Sequence, residues 1–294
     1  MLSQESAPKP IVPGQAVRLS DLVVRITAPN AGPLTGPGTN TYLVGKDELT
    51  VVDPGPNIDS HVQAILAAGD GKITRIAVTH THPDHSPAAT PLAEATGAMT
   101  FGKTIEDDGH QDTTFSPIQV LVNGNSIQTS EYCLEVVYTP GHVGNHFCFI
   151  LREENMLFAG DHLMQGSTVV IVPPSGDMAD YVSSLQTLLH CNIETIAPGH
   201  GTLMDGAKKI IERNITHRLM REEKVIAALK KLPDSTIGDL VRSVYSDVDE
   251  QLYQLASWSL LAHLLKLEKE GRALQTKLRT SNGEANDSIW RYCG

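Results

Sequence analysis

No stretch of the 294 residues approaches the roughly 20 consecutive apolar residues that a membrane helix needs, so no membrane partner is expected. Cysteine is scarce. Cys133, Cys148, Cys191 and Cys293 are scattered without metal or disulfide spacing, which argues against a disulfide scaffold and fits a reducing compartment. The opening residues, Met1 to Pro10, contain no apolar core of the secretory kind. Together these point to a cytoplasmic protein, or a mitochondrial-matrix one if the source is a eukaryote. Neither a Gly-rich phosphate loop nor a dinucleotide fingerprint occurs, which disfavours nucleotide-dependent chemistry. No repeat of 20–50 residues is evident.

Positive charge is also short, but only in part of the chain. Residues 1–205 hold 8 Lys/Arg against 22 Asp/Glu, whereas residues 206–294 hold 15 against 12. An acidic surface repels polyanions at long range, so contact with nucleic acid would have to use the second part. There the stretch from Gly206 to Leu232 is the most basic, although interspersed Glu222 and Glu223 suit the solvated face of a long helix. A hydrophobic content of 40% and a length of 294 residues allow a domain of about 200 residues plus a smaller one.

Histidine and aspartate are arranged with more purpose. His80-Thr81-His82-Pro83-Asp84-His85 follows the strand-like run Ile73 to Thr79. It concentrates three imidazoles and a carboxylate, the donors that suit zinc and similar transition metals. Four such side chains leaving one strand end crowd a single tetrahedral ion, so the spacing suggests two neighbouring ions. Three further segments repeat the design of an apolar run, a turn, then a ligand-type residue: Leu134–Tyr138 into His142, Met156–Ala159 into Asp161, and Ile193–Ala197 into His200. Leu49–Val52 into Asp53 has the same form. If these strands align, their C-terminal ends deliver every ligand to one edge of the fold. The other seven histidines show no such pattern and read as surface or core residues; His146 and His162 stand apart because each lies close to a ligand-type residue.

These residues resemble the metallo-β-lactamase fold superfamily, which is marked by an Asp after an early strand, His-x-His-x-Asp-His, and then a separated His, Asp and His. Gly38-Thr39-Asn40-Thr41-Tyr42-Leu43-Val44-Gly45, the Thr139–His142 and Ala197–Gly201 stretches and the helical tail His263–Gly271 are similar to the beta-lactamase-like protein 2 branch. The resemblance implies a four-layer αββα sandwich with a small C-terminal winged-helix-like domain. It implies one ion held by His80, His82 and His142, a second held by Asp84, His85 and His200, and Asp161 bridging them. It also implies that Asp53 braces the loop from behind. The sequence departs from the branch beside the motif: Thr81 replaces a Trp, and Pro87-Ala88 replaces Gly-Gly.

The expected organisation is a loose arm at 1–18, a catalytic domain at 19–205, a winged-helix-like domain at 206–280 and a tail at 281–294. Helices are expected over Ser60–Ala68, Ser86–Thr96 and Ala179–His190, with Ser60 and Ser86 as caps. Asn123-Gly124 reads as a hairpin turn. In the second part, Ile211, Ile215, Leu219, Ile226 and Leu229 form one face of a long helix, and Gln251–Glu270 forms another helix. A winged-helix-like module could bind nucleic acid or pack on the catalytic domain; packing is the reading favoured here, since fold alone does not fix function.

The chemistry implied is hydrolysis. Two cations about 3.5–4 Å apart can share a water and ionise it near neutral pH, giving a bridging hydroxide that attacks carbonyl carbon or phosphorus. Asp84 would bind metal and orient that hydroxide. Two Zn²⁺ ions are the default, with iron or manganese as alternatives. The branch resemblance implies a single-stranded RNA phosphodiester as substrate. The alternative is a small thioester or other acyl compound, in the manner of glyoxalase II or an acyl-thioesterase; a β-lactam ranks below both. A second class of reading is a binding module with a closed structural metal site. The oligomeric state is not legible.

Overall fold

The computed structural model describes residues 10–279 and 285–294. Two β-sheets face each other. The first has seven strands in chain order: β1 (Ala16–Arg18), β2 (Val23–Thr27), β3 (Asn40–Val44), β4 (Leu49–Val52), β5 (Ile73–Ala77), β6 (Met99–Gly102) and β7 (Gln119–Val120). Neighbours from β1 to β4 are antiparallel, and those from β4 to β7 are parallel. The second sheet comprises β8 (Ser126–Gln128), β9 (Cys133–Tyr138), β10 (Phe147–Leu151), β11 (Met156–Gly160), β12 (Thr195–Pro198) and β13 (Met204–Asp205), side by side in that order.

Burial explains the layers. Strands β3, β4, β10 and β11 are buried at every position, as expected for strands covered on both faces. Val23, Tyr42, Val52 and Ala77 of the first sheet meet Val136, Phe147, Phe149 and Phe158 of the second in one apolar core. The outer face of the first sheet carries helices α1 (Asp59–Gly69) and α2 (Ala89–Thr96), packed through Ile65 and Leu92. The outer face of the second carries α3 (Met178–Leu188), through Tyr181 and Leu185. The sandwich is four-layered, helix–sheet–sheet–helix.

The chain then enters α4 (Ala207–Lys231), α5 (Ile237–Val244) and α6 (Tyr253–Lys269), followed by a small sheet of β14 (Ser235–Thr236), β16 (Ala285–Tyr292) and β15 (Ala273–Arg279) in that spatial order. Thr236 and Asp239 close a reciprocal capping box at the start of α5. Helix α4 serves two cores. Ala207 and Ile211 pack with α3 and the outer face of the second sheet, whereas Val225, Ile226 and Leu229 pack with α5, α6 and Trp290.

Several local expectations give way to tertiary context. Residues 16–18, read as part of a loose arm, pair with β2, and the Gly14 amide donates to the Thr27 carbonyl; residues 1–9 of that arm lie outside the described residues. Ser60 is inside α1, whose cap position is Ile58, and Ser86 precedes the α2 cap position, Ala88; neither serine caps its helix. Asn123-Gly124 is not a hairpin. It carries the chain from β7 in one sheet to β8 in the other, and the hairpin falls at 129–132, where Thr129 and Tyr132 close the turn between β8 and β9. Leu219 of α4 is exposed, and the buried face instead includes Asn214, Arg218, Arg221 and Glu222. The basic stretch is therefore only partly a solvated face. Most of the expected tail is strand β16, with Trp290 fully buried; residues 281–284 lie outside the described set. No described helix is long and apolar enough to cross a membrane.

Candidate metal centre

The two sheets bring five strand ends to one edge. Strands β4 and β5 run parallel in the first sheet; β9, β11 and β12 run in one direction in the second, since β10 is antiparallel to both β9 and β11. Each strand breaks into a tight turn at this edge. Asp53 sits in the left-handed region at φ 50°, and Gly141 and Gly160 also have positive φ. Backbone hydrogen bonds join the turns: the Phe147 amide donates to the Thr79 carbonyl at 2.8 Å, and the Gly199 amide to the Gly160 carbonyl at 2.8 Å. The site is thus built on strand ends whose relative position both sheets fix.

His80, His82 and His142 form the first group. His82 Nδ1 lies 3.0 Å from His80 Nε2 and 3.0 Å from His142 Nε2. Two nitrogens bound tetrahedrally to one zinc stand about 3.3 Å apart, so the spacing suits a shared ion. The outer nitrogens settle the tautomers. His142 Nδ1–H donates to the Val170 carbonyl at 2.8 Å. The Thr79 hydroxyl donates to Asp53 Oδ2 at 2.8 Å, so at 3.0 Å it accepts from His80 Nδ1–H. His80 and His142 therefore turn lone pairs inward. Burial pushes His82 down to about 3, with His142 adding to the effect, and burial also lowers His80 and His142. Three neutral imidazoles converging on one point suit a transition metal cation.

Asp84, His85 and His200 form the second group. Asp84 Oδ2 lies 3.4 Å from the Nε2 atoms of both histidines. Asp161 stands between the groups: Oδ1 is 3.3 Å from His85 Nε2 and 3.2 Å from His200 Nε2, while Oδ2 is 3.8 Å from His142 Nε2. His85 Nε2 and Asp161 Oδ1 are buried without a hydrogen-bond partner among the described residues. Such orphaned atoms are what a divalent cation between them would satisfy. Burial works against charge on His85, yet Asp84, Asp161 and Asp53 raise it well above the ordinary histidine range. Burial likewise opposes charge on His200, and Asp161 raises it; burial also opposes charge on Asp161, which His200 and His85 hold low. The negative field that draws protons here would equally draw a metal ion. Three sets, His80–His82–His142, His80–His85–Asp161 and Asp84–His85–His200, each place their donor atoms within 4.8 Å of one another.

Behind these groups, Asp53 is buried. Its Oδ1 accepts from the Thr79 amide at 2.7 Å, and its Oδ2 faces His85 Nδ1 at 2.9 Å. The structure thus places all seven expected ligands and Asp53 together. It adds residues that sequence reasoning left unassigned. Thr79 links Asp53 to His80. Thr39 donates through its hydroxyl to Asp84 Oδ2 at 3.0 Å and bridges to the backbone of His200. His146, singled out for its closeness to His142, accepts from the Asp161 amide through Nε2 at 3.2 Å. The signal for Thr39 was the Gly-Thr-Asn-Thr stretch; Thr79 carried none.

The surrounding loops are tied to the motif. The Thr81 hydroxyl, standing where the branch has Trp, donates to Gln111 at 2.7 Å and accepts from Asn145 at 2.7 Å. Ser86, expected as a helix cap, donates to Asp112 at 2.6 Å. Asp108 accepts from the Ser175 hydroxyl, joining residues 103–112 to residues 163–177. The latter segment reaches His142 through the Val170 carbonyl. Across 29–38, 103–112 and 163–177 the only Lys or Arg is Lys103, and it lies over the Tyr138 ring at 5.0 Å. Glu106, Asp107 and Asp108 are in the same loop as Lys103.

The chain is similar to known proteins in sequence and in fold. A sequence model described as the Metallo-beta-lactamase superfamily matches residues 34–200, and one described as the Beta-lactamase associated winged helix domain matches residues 236–280. A beta-lactamase-like protein 2 homolog of Caenorhabditis elegans is 32% identical over 259 residues, covering 86% of each chain. An atrochrysone carboxyl ACP thioesterase of Aspergillus chevalieri is 30% identical over 253 residues, covering 81% of this chain and 78% of the relative. In fold, the chain is similar to a beta-lactamase domain protein from Burkholderia ambifaria, with a TM-score of 0.78 at 20% identity, covering 99% of this chain and 96% of that one.

Proposed function

The chain belongs to the metallo-beta-lactamase superfamily, in the branch that carries the associated winged helix domain, and from that premise we propose that it hydrolyses acyl thioesters with a pair of divalent metal ions. The observation that carries the two-ion part is the double aim of Asp161, whose two oxygens face different ligand groups. His80, His82 and His142 would hold one ion, and Asp84, His85 and His200 the other. Zinc fits the nitrogen-rich donor set best, with iron or manganese as the alternatives. When bound, such a pair supplies Lewis acidity and a water that ionises near neutral pH.

The protein's own groups do the rest. Asp84, held through one oxygen by Thr39, would orient the attacking water, take up its proton and return it to the departing thiolate as the C–S bond breaks. The histidines of the first group, which burial keeps neutral, need not lose protons to take up an ion. Five strand ends, two from the first sheet and three from the second, fix the donors and Asp53, so little reorganisation is needed as charge develops on the substrate oxygen.

The charge of the surrounding loops favours an acyl substrate over a nucleic acid. With one Lys and no Arg among residues 29–38, 103–112 and 163–177, these loops offer little to a polyphosphate backbone. Two relatives named thioesterases, at 30% and 32% identity, support the same reading. RNA phosphodiester cleavage is the second reading. It is favoured by the excess of bases over acids in residues 206–294, although Arg218 and Arg221 are buried there.

Three measurements test this. Purified protein should hold close to two equivalents of transition metal by elemental analysis. His82→Ala should lose one equivalent and the activity together. A short-chain acyl-CoA thioester should be cleaved, with little dependence on salt, while a labelled single-stranded RNA should not. RNA cleavage with a steep salt dependence would replace the thioester reading and leave the metal pair standing. A metal-free, fully active enzyme would end both.

A further inference from the structure

The α4 helix buries an arginine against the catalytic layer. Arg218 is 3% exposed, and its guanidinium donates to the Val169 carbonyl at 2.5 Å. The next carbonyl along, that of Val170, accepts from His142 Nδ1–H. The same guanidinium lies over the ring of Tyr181 at 4.9 Å. Tyr181 in turn backs the turn that carries His142: a Cβ on Gly141 would come within 2.3 Å of Tyr181 Cα. Arg218 therefore touches both supports of His142, the segment its ring bonds to and the residue its backbone rests on.

We propose that Arg218 is a positioning residue through which the C-terminal module sets the aim of His142, and so the affinity of the three-histidine group for its ion. The inference rests on the metal reading above. A hydrogen bond to the outer nitrogen of a ligating histidine fixes both tautomer and ring orientation. That bond holds only while the Val169–Val170 peptide is kept in place, and Arg218 is its anchor from outside the sandwich. Burying a guanidinium is costly, and Arg218 Nε has no hydrogen-bond partner among the described residues, so bulk packing alone is a poor reason for this residue type. A second contact acts in the same direction. Lys269 of α6 pairs with Asp177 at 2.5 Å, holding the far end of the same segment. On this inference the winged-helix module is a brace for the catalytic site.

The test uses the full-length protein as wild type and as Arg218→Met, Arg218→Gln and Arg218→Lys. Each is loaded with zinc and titrated against a chromophoric chelator to resolve the two affinities. Melting is recorded with and without metal. Arg218→Met and Arg218→Gln should weaken one of the two ions by about tenfold and leave the other within twofold. The rise in melting temperature on adding zinc should shrink accordingly. Arg218→Lys, which keeps a donor and the charge, should recover part of the loss. Unchanged affinities, or an equal loss at both ions, would overturn the inference while leaving the metal centre intact. A wild-type protein that takes up no zinc would overturn the metal reading and this one with it. Should Arg218→Met fail to fold, the Gln and Lys variants decide: a selective loss in either supports the inference, and wild-type binding in both rejects it.

Discussion

Asp53 holds the ring of His85 from behind, with Oδ2 2.9 Å from Nδ1, while the same oxygen accepts the hydroxyl of Thr79 at 2.8 Å. One buried carboxylate thus orients the β5 turn and a ring of the second ligand group. Asp53 itself has φ 50°, a conformation that Asn tolerates better than other residues with a side chain. Asp53→Asn should therefore keep the backbone and lose the charge that favours His85 as a donor. Metal affinity or kcat/KM should fall by about 10–100-fold with the fold retained. Equilibrium dialysis against zinc, beside a circular dichroism spectrum, checks this; a variant with wild-type metal content and rate refutes the role.

Gly199 offers a sharper probe of the same centre. A Cβ there would stand 2.6 Å from Asp161 Oδ1 and 2.9 Å from both the Gly160 carbonyl and His85 Cε1. Gly199→Ala should displace Asp161, lowering activity by at least about 100-fold, with a stability cost of about 1–3 kcal/mol. Thermal melts and steady-state rates separate the two effects. Loss of rate no greater than the loss of folded protein would count against the assignment of Asp161.

Acid should weaken the module around α4 and α6. His263 is fully buried, and burial pushes its pKa below the ordinary value, opposed by Glu222 and helped by Arg218 and Lys266. The unfolded chain therefore binds the extra proton first. Stability from this group is present above about pH 6.5 and drains away as pH falls, by up to about 1.4 kcal/mol per pH unit. Glu222 is held low despite burial by His263 and Lys266, so its contribution is present above about pH 4.3 and is lost on further acidification. His263→Met should flatten the fall of stability between pH 6.5 and 5 in urea titrations. Identical slopes for the two proteins would contradict the argument.

Trp290 tests the last strand. It is fully buried among the side chains that join α4, α5 and α6. Trp290→Ala should cost about 3–5 kcal/mol of unfolding free energy. A melting temperature equal to the wild type would show that β16 does not hold the module together.

The candidate metal centre was legible because each part of its signature is local. Imidazole and carboxylate are the donor chemistry, and the break from an apolar run into Gly or Pro marks a strand end within a few residues. His80, His82, Asp84 and His85 could thus be read with no knowledge of neighbours, and repetition of the pattern at His142, Asp161 and His200 tied distant segments to them. The long α4 helix was equally plain from its period, and Ile211, Ile226 and Leu229 of the face read from it are buried; the charged part of the buried face was not legible. Leu219 is exposed and Arg218 buried, because helix orientation depends on what the partner surface offers, here the Val169 carbonyl and the Tyr181 ring. Asn123-Gly124 has the residues of a hairpin and instead crosses between sheets, since a turn type fixes local direction but not which strand lies beyond it.

The sequence by itself determined which side chains meet and what kind of atom each donates. Only the tertiary structure decided how they are aimed: which oxygen of Asp161 faces which group, which carbonyl steadies His142, and which helix steadies that carbonyl. The reason is physical. Ligand chemistry is a property of a residue, whereas orientation is set by contacts between elements that lie far apart along the chain.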